Sequence, residues 1–213
     1  MKDLDTDTVL ATAVHEVKNL MGELSLRLDD YYLRHPDAEV AKMRALSRAS
    51  QDRLIQTLIM QNAAEGNLGV NAQAISPQEL LDGVAADARL MLPDGMALEL
   101  KSEVDDVPFW FIDRYLISQV LMNALHNAFK FAKSRVTLNC REEADGLLFV
   151  VQDDGAGYPD MPGFRQDALP QGGDSKKGTG LGLHFNERIA AAHGGKITRS
   201  NNAGARFALW LPK

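Results

Sequence analysis

Residues 119–132 read QVLMNALHNAFKFA. Asp113 opens a long amphipathic helix that runs through this stretch to about Ala132. Asn123, Asn127 and Lys130 fall at i, i+4 and i+7, within a narrow stripe of one face. Asparagine inside a helix is a propensity cost, because its amide competes for the backbone. Two of them beside a lysine offer carbonyl oxygens for a hard cation and a positive charge for phosphate oxygens. The competing explanation is a polar helix face turned to water. His126 reads as a neighbour of such a site and not as a participant.

Downstream, GLLFVVQD is a strand, and it ends in Asp153-Asp154-Gly155-Ala156-Gly157. An aspartate at a strand end followed by spaced glycines lets the chain turn tightly against a flat ligand. Its carboxylate can accept a hydrogen bond from an exocyclic amine such as that of adenine. Gly178-Thr179-Gly180-Leu181-Gly182-Leu183 then leads into a helix over about Leu181–His193, with Lys176 and Lys177 just before it. Such glycines bring backbone N–H groups to a polyphosphate at the positive end of a helix.

Upstream, ATAVHEVKNLMG (residues 11–22) lies in a helical run from about Asp5 to Tyr32, with Leu10, Val14, Val17, Met21, Leu24 and Leu28 on one stripe. His15 and Asn19 share a face at its flank. A zinc protease would need histidine at position 19, which is asparagine. An exposed imidazole beside Glu16 can act as a nucleophile, the carboxylate taking or orienting the proton on the other ring nitrogen. A solvated helix face is the plainer alternative.

Arg34-His35-Pro36-Asp37-Ala38 breaks this helix, and a second helical run follows, with Val40, Met43, Leu46 and Leu54 on one side. Such a hairpin cannot cover its own stripe, so a dimeric four-helix bundle is expected. GNLGVNAQAISP reads as a linker. Beyond it Ser76-Pro77 caps a helix to about Leu92, MALELKSE and RVTLNCRE are strands, and KITRSN and ARFALWLP close the chain. Residues 1–66 are therefore expected as a helical hairpin, 67–76 as a linker and 77–213 as an α/β domain.

Net charge is −6, which argues against nucleic acid or an anionic membrane surface as main partner. The single cysteine, Cys140, excludes an intrachain disulfide and alternates with apolar residues as an inert strand thiol would. No apolar run approaches the ~18 residues needed to cross a bilayer. A soluble, cytoplasmic protein is the expectation.

Taken in order, these segments resemble the catalytic core of a bacterial sensor histidine kinase. HEVKN resembles the H box, DRYLISQVLMNALHNAFKFA the N box with its lead-in, DDGAG and GTGLGL the glycine boxes, and Gly204-Ala205-Arg206-Phe207 the closing strand motif. The resemblance implies a dimerisation hairpin joined to an ATP-binding α/β sandwich of the gyrase/histidine-kinase superfamily. It makes His15 the phosphoacceptor, Glu16 its proton acceptor and Asn19 a positioner of the phosphoryl group or of a water in a reverse phosphatase reaction. Asn127 would bind Mg²⁺, and Asn123 and Lys130 would hold phosphates of ATP. Asp153 would read the adenine amino group, with Gly155 and Gly157 shaping the pocket. Lys177, Gly178, Thr179, Gly180, Leu181 and Gly182 would line the phosphate side beneath a mobile lid. The implied partners are an aspartate on a response regulator, a second copy of the chain and a separate sensor protein.

Some positions depart from the family pattern. Leu20 stands where many relatives carry proline, which implies a first helix without the usual bend. Tyr158 to Lys177 is short for a lid, and Phe164 matches the family's phenylalanine motif loosely. Two rival functions share this architecture in part: a histidine phosphotransferase without ATP binding, and a serine-directed kinase of the same ATPase superfamily.

Overall fold

A computed structural model describes residues 6–44, 46–47, 50, 69–104, 107, 109–158 and 181–213, with side chains of the first helix described from Leu20 onward and those at 181 and 183 left out. The chain divides into two units, Met1–Leu68 and Gly69–Lys213.

In the first unit, helix α1 (Thr6–Arg34) runs through position 20 without interruption. It ends at His35-Pro36, and Asp37 starts α2, helical over residues 38–44. Asp37 Oδ1 accepts from the backbone N–H groups of Glu39 (2.8 Å) and Val40 (3.3 Å), satisfying donors that a helix start leaves free. The two helices fold back on each other. Arg44 Nε donates to Asp29 Oδ1 at 2.6 Å and its guanidinium lies 4.4 Å from the Tyr32 ring centre, while Ser25 and Ser47 share a hydroxyl hydrogen bond. Leu20, Leu24 and Tyr31 remain 65, 46 and 52% exposed. They fall at i, i+4 and i+11, one exposed apolar strip on α1.

The second unit is a five-stranded sheet with helices on one face. Its strands are β2 (Ala97–Glu103), β4 (Arg135–Glu143), β5 (Gly146–Asp153), β6 (Lys196–Asn201) and β7 (Ala205–Pro212), in the order β2-β4-β5-β7-β6. Among the described strands of this sheet only the β2–β4 pair is parallel. Helices α3 (Pro77–Arg89), α4 (Arg114–Phe131) and α5 (Leu181–Ala192) lie side by side on the sheet, α3 and α4 over β2, β4 and β5, and α5 over β6 and β7. The helix-facing side is apolar: Val136, Leu138, Phe149, Val151, Phe207 and Leu209 meet Leu81, Ile117, Leu121, Leu125 and Phe185, all buried.

Helix starts follow the capping chemistry read from the sequence. Ser76 Oγ accepts from Glu79 N with Pro77 at the first helical position, and Asp113 Oδ1 accepts from Leu116 N. The β4–β5 hairpin turns through Ala144 and Asp145, with Ala144 at φ +52°.

Part of the stretch expected as a linker is a strand. Gln73–Ile75 form strand β1, antiparallel to β3 (Trp110–Ile112), a strand the sequence did not announce. Trp110 Nε1 donates to Pro212 O at 2.9 Å, fastening this small sheet to the end of β7. The helix expected to reach Leu92 stops at Arg89, where Leu90 and Met91 form a turn.

Cys140 is fully buried on β4, and burial pushes its thiol up to about 12. Folded protein at pH 8 should therefore react with a thiol reagent only as fast as it unfolds. In the unfolded chain the thiol titrates near ~8.5, so stability should fall as pH rises above that value. Native protein alkylating at the rate of a free thiol would contradict the placement.

Candidate functional site

The site is built where β5 ends against α4. By strand alternation Asp153 points to the helix side, and it is 6% exposed. Its Oδ1 accepts from the backbone N–H of Gly155 (2.8 Å) and of Ala205 (3.1 Å). Oδ2 has no donor among the described residues, so it is the oxygen available to a ligand amine.

Glycines allow this packing. A Cβ on Gly204, at φ +145°, would stand 1.9 Å from Asp153 O. A Cβ on Gly155 would stand 2.2 Å from Phe131 O, so the turn lies directly on the end of α4. Asp154 fixes the same junction: its carboxylate accepts from Lys133 N (2.8 Å), Ser134 N (3.1 Å) and Ser134 Oγ (2.7 Å). Those bonds, the Ser134 hydroxyl first, hold its pKa well below the usual carboxylate range.

Gly157 sits at φ +82°, and the next residue is clamped by Asn201. Asn201 Oδ1 accepts from Tyr158 N (2.8 Å) and its Nδ2 donates to Tyr158 O (2.9 Å). Burial raises the Tyr158 pKa; Arg199 opposes that shift and Asp153 adds to it. Arg199 is in turn paired with Glu187 of α5 at 2.6 Å.

On α4, Asn127 and Lys130 are exposed, and Lys130 Nζ lies 5.3 Å from the Phe131 ring centre. Asn123, expected to hold phosphate, has protein partners. Its Nδ2 donates to Gly182 O (2.8 Å) and to Asn186 Oδ1 (3.0 Å), tying α5 to α4. A Cβ on Gly182 would come within 2.6 Å of that nitrogen, so here the glycine serves helix contact. Asn186 is 1% exposed, and its Nδ2 has no partner among the described residues.

His15, Glu16 and Asn19 lie on α1, and their side chains fall outside the described residues. Lys177, Gly178, Thr179, Gly180, Phe164 and the expected lid lie outside them too, as does the Leu181 side chain. Sequence reading did not single out Asn186, Asn201 or the bracing role of Asp154. The only available signal was the turn-rich Asn201-Asn202-Ala203-Gly204, read as a loop.

Comparison with known proteins places this geometry. Residues 112–213 match the histidine kinase-, DNA gyrase B-, and HSP90-like ATPase family. The alginate biosynthesis sensor protein KinB of Pseudomonas aeruginosa is 30% identical over 159 residues, covering 71% of this chain and 27% of its own length. The adaptive-response sensory kinase SasA of Prochlorococcus marinus (strain MIT 9313) is 34% identical over 151 residues, covering 64% and 41%. The chain carries a sensor histidine kinase catalytic core. This core spans well under half the length of these curated relatives. Its fold is shared with the Acinetobacter baumannii histidine kinase AdeS, at a TM-score of 0.61 and 18% identity over 93% of this chain and 97% of that one. Full-length ShkA in complex with AMPPNP superposes with a TM-score of 0.59 at 24% identity, covering 96% and 45%. No described helix of the kinase core is long and apolar enough to cross a membrane.

The Asp154 brace has a pH signature. A carboxylate whose pKa is depressed on folding stabilises the fold above its unfolded pKa of ~3.9 and loses that contribution as pH falls below it. Asp154→Asn should lower the urea midpoint at pH 7, and its gap from the parent should shrink at pH 3. An equal gap at both pH values would show that the Ser134 bonds do not depend on the charge.

Proposed function

We propose that the chain is a homodimeric protein-histidine kinase that phosphorylates its own His15 from Mg-ATP and passes the phosphoryl group to an aspartate of a response regulator. The observation that carries this reading is Asp153: buried, one oxygen held by backbone, the other free at the edge of α4. Oδ2 is placed to accept a hydrogen bond from the adenine amino group. Exposed Asn127 and Lys130 supply an amide oxygen and a charge for the Mg²⁺ and phosphates that follow the base. Mg²⁺ neutralises triphosphate charge when bound, and it commonly rests on few protein ligands plus substrate oxygens, which suits a single exposed asparagine. Asn123 then acts by holding α5, and with it Gly182, beside the phosphate side of the cleft.

Phosphoryl transfer needs positioning and charge neutralisation more than covalent help. A ring nitrogen of His15 forms the N–P bond to the γ-phosphorus as the bond to the β,γ-bridging oxygen breaks and ADP leaves. Glu16 takes the proton from the other ring nitrogen, and Asn19 orients the phosphoryl group. The phosphohistidine next donates to the regulator's aspartate. The same histidine face with Asn19 would position water for a reverse phosphatase reaction. The exposed Leu20, Leu24 and Tyr31 strip supports pairing with a second copy into a four-helix bundle, and a separate sensor protein would supply the signal. Cytoplasmic residence follows from this role.

Incubation with γ-labelled ATP and Mg²⁺ should give acid-labile, alkali-stable label at His15. His15→Gln should take up no label and bind ATP as before. Acid-stable label, or label retained in that variant, would overturn the reading in favour of a serine-directed kinase or a different acceptor.

Asp153→Asn separates nucleotide recognition from folding. Its amide oxygen can still accept from Gly155 and Ala205, but an Nδ2 at the free position opposes an incoming amine. ATP affinity should drop at least about tenfold, roughly 1.4 kcal/mol, with the melting temperature little changed. Undiminished ATP binding would remove Asp153 from the site. If the parent itself bound no ATP, the chain would be a phosphotransferase.

A further inference from the structure

We propose that the open face of the sheet, opposite the helices, holds a binding site for a small, multiply charged anion of phosphate or carboxylate type. Strand alternation separates this face from the nucleotide cleft, since Gln152 and Asp153 are neighbours that point to opposite sides.

Register assembles the face. Lys101, Asn139, Val150, Ala208 and Thr198 form one row across the five strands. Glu99, Thr137, Gln152 and Arg206 form the row on one side of it, and Glu103, Arg141, Leu148 and Trp210 the row on the other. Between these rows lies a cleft of about 400 Å³, whose lining includes Lys101, Arg135, Arg141, Arg206 and one carboxylate, Glu99. That volume suits a small ligand.

The charge is unbalanced. Four cations line a cleft whose lining holds one carboxylate, in a chain of net charge −6. Arg135 approaches Glu99 at 3.6 Å, and Arg141 leans to Glu143 at 3.2 Å. Lys101 and Arg206 have no acidic partner among the described residues. Neighbouring strands are ~4.8 Å apart, so long basic side chains on β2, β4 and β7 can reach one ligand over the central row. An anion carrying several charges relieves their mutual repulsion, and guanidinium groups bind phosphate or carboxylate oxygens in pairs.

A small anion fits this face better than a protein surface does. The apolar floor is already covered: Leu148, Val150 and Ala208 are 6, 6 and 2% exposed. Trp210 packs on that floor with Lys196 Nζ 5.1 Å from its ring centre. Little apolar area remains for the dry centre that stable protein interfaces need.

Calorimetric titration of the whole chain with pyrophosphate and with citrate, at fixed ionic strength against chloride, tests the site. Saturable binding is expected with at least one anion, unchanged by saturating AMPPNP and Mg²⁺, and at least tenfold weaker in the Lys101→Glu, Arg141→Glu double variant. Preference for pyrophosphate would identify a phosphorylated ligand, and preference for citrate a polycarboxylate. If the reversed charges prevent folding, Lys101→Met with Arg141→Met makes the same comparison. The proposal is overturned by absence of saturable binding, by equal affinity in a folded variant, or by displacement with AMPPNP. Binding of an octaglutamate peptide alone would overturn it in favour of an acidic protein partner.

Discussion

One carboxylate oxygen organises the catalytic unit. Asp153 Oδ1 joins the end of β5 to the turn at Gly155 and to the first residue of β7. A buried carboxylate is costly unless its oxygens are satisfied, and backbone N–H groups satisfy one of them at fixed geometry. This arrangement requires Gly204, whose missing Cβ leaves room for the Asp153 carbonyl, and Gly155, which lets the turn touch the Phe131 carbonyl. One oxygen is thereby committed to the fold, and the other is left without a donor among the described residues.

Around that point the helix layer is arranged by polar links inside an apolar interface. The Asn123 bonds to Gly182 and Asn186 join α4 to α5, and the Arg199–Glu187 pair joins α5 to β6. Asn201 does the equivalent for the backbone beyond Gly157. The Asn123 and Asn201 links cross between elements distant in sequence, while the Arg199–Glu187 pair joins elements that follow one another in the chain.

Much of this was legible in the sequence. β6 and β7 were read to the residue, because turn residues delimit them. α3 and α4 were read from Ser76-Pro77 and Asp113, whose capping bonds are local. β1 and β3 were not legible: each is three residues long, and their pairing joins Gln73 to Ile112, which no local pattern encodes. At the site, spacing placed Asn123, Asn127 and Lys130 on one face, but it could not say that the Asn123 amide would turn to a neighbouring helix. That choice depends on the backbone of Gly182, some sixty residues on. The bracing by Asn201 and Asp154 escaped for the same reason. An asparagine in a turn-rich stretch carries no mark of a partner 43 positions away.

The strand order carries a consequence for biosynthesis. β7, translated after the other four strands of its sheet, takes an interior place between β5 and β6. Until it emerges from the ribosome, β5 presents a bare, strongly apolar margin running from Leu147 to Val151. Such a margin is open to illegitimate pairing with neighbouring nascent chains. The sheet of the ATPase unit cannot close until that strand arrives, and a shielding chaperone is most useful to it during the interval before then.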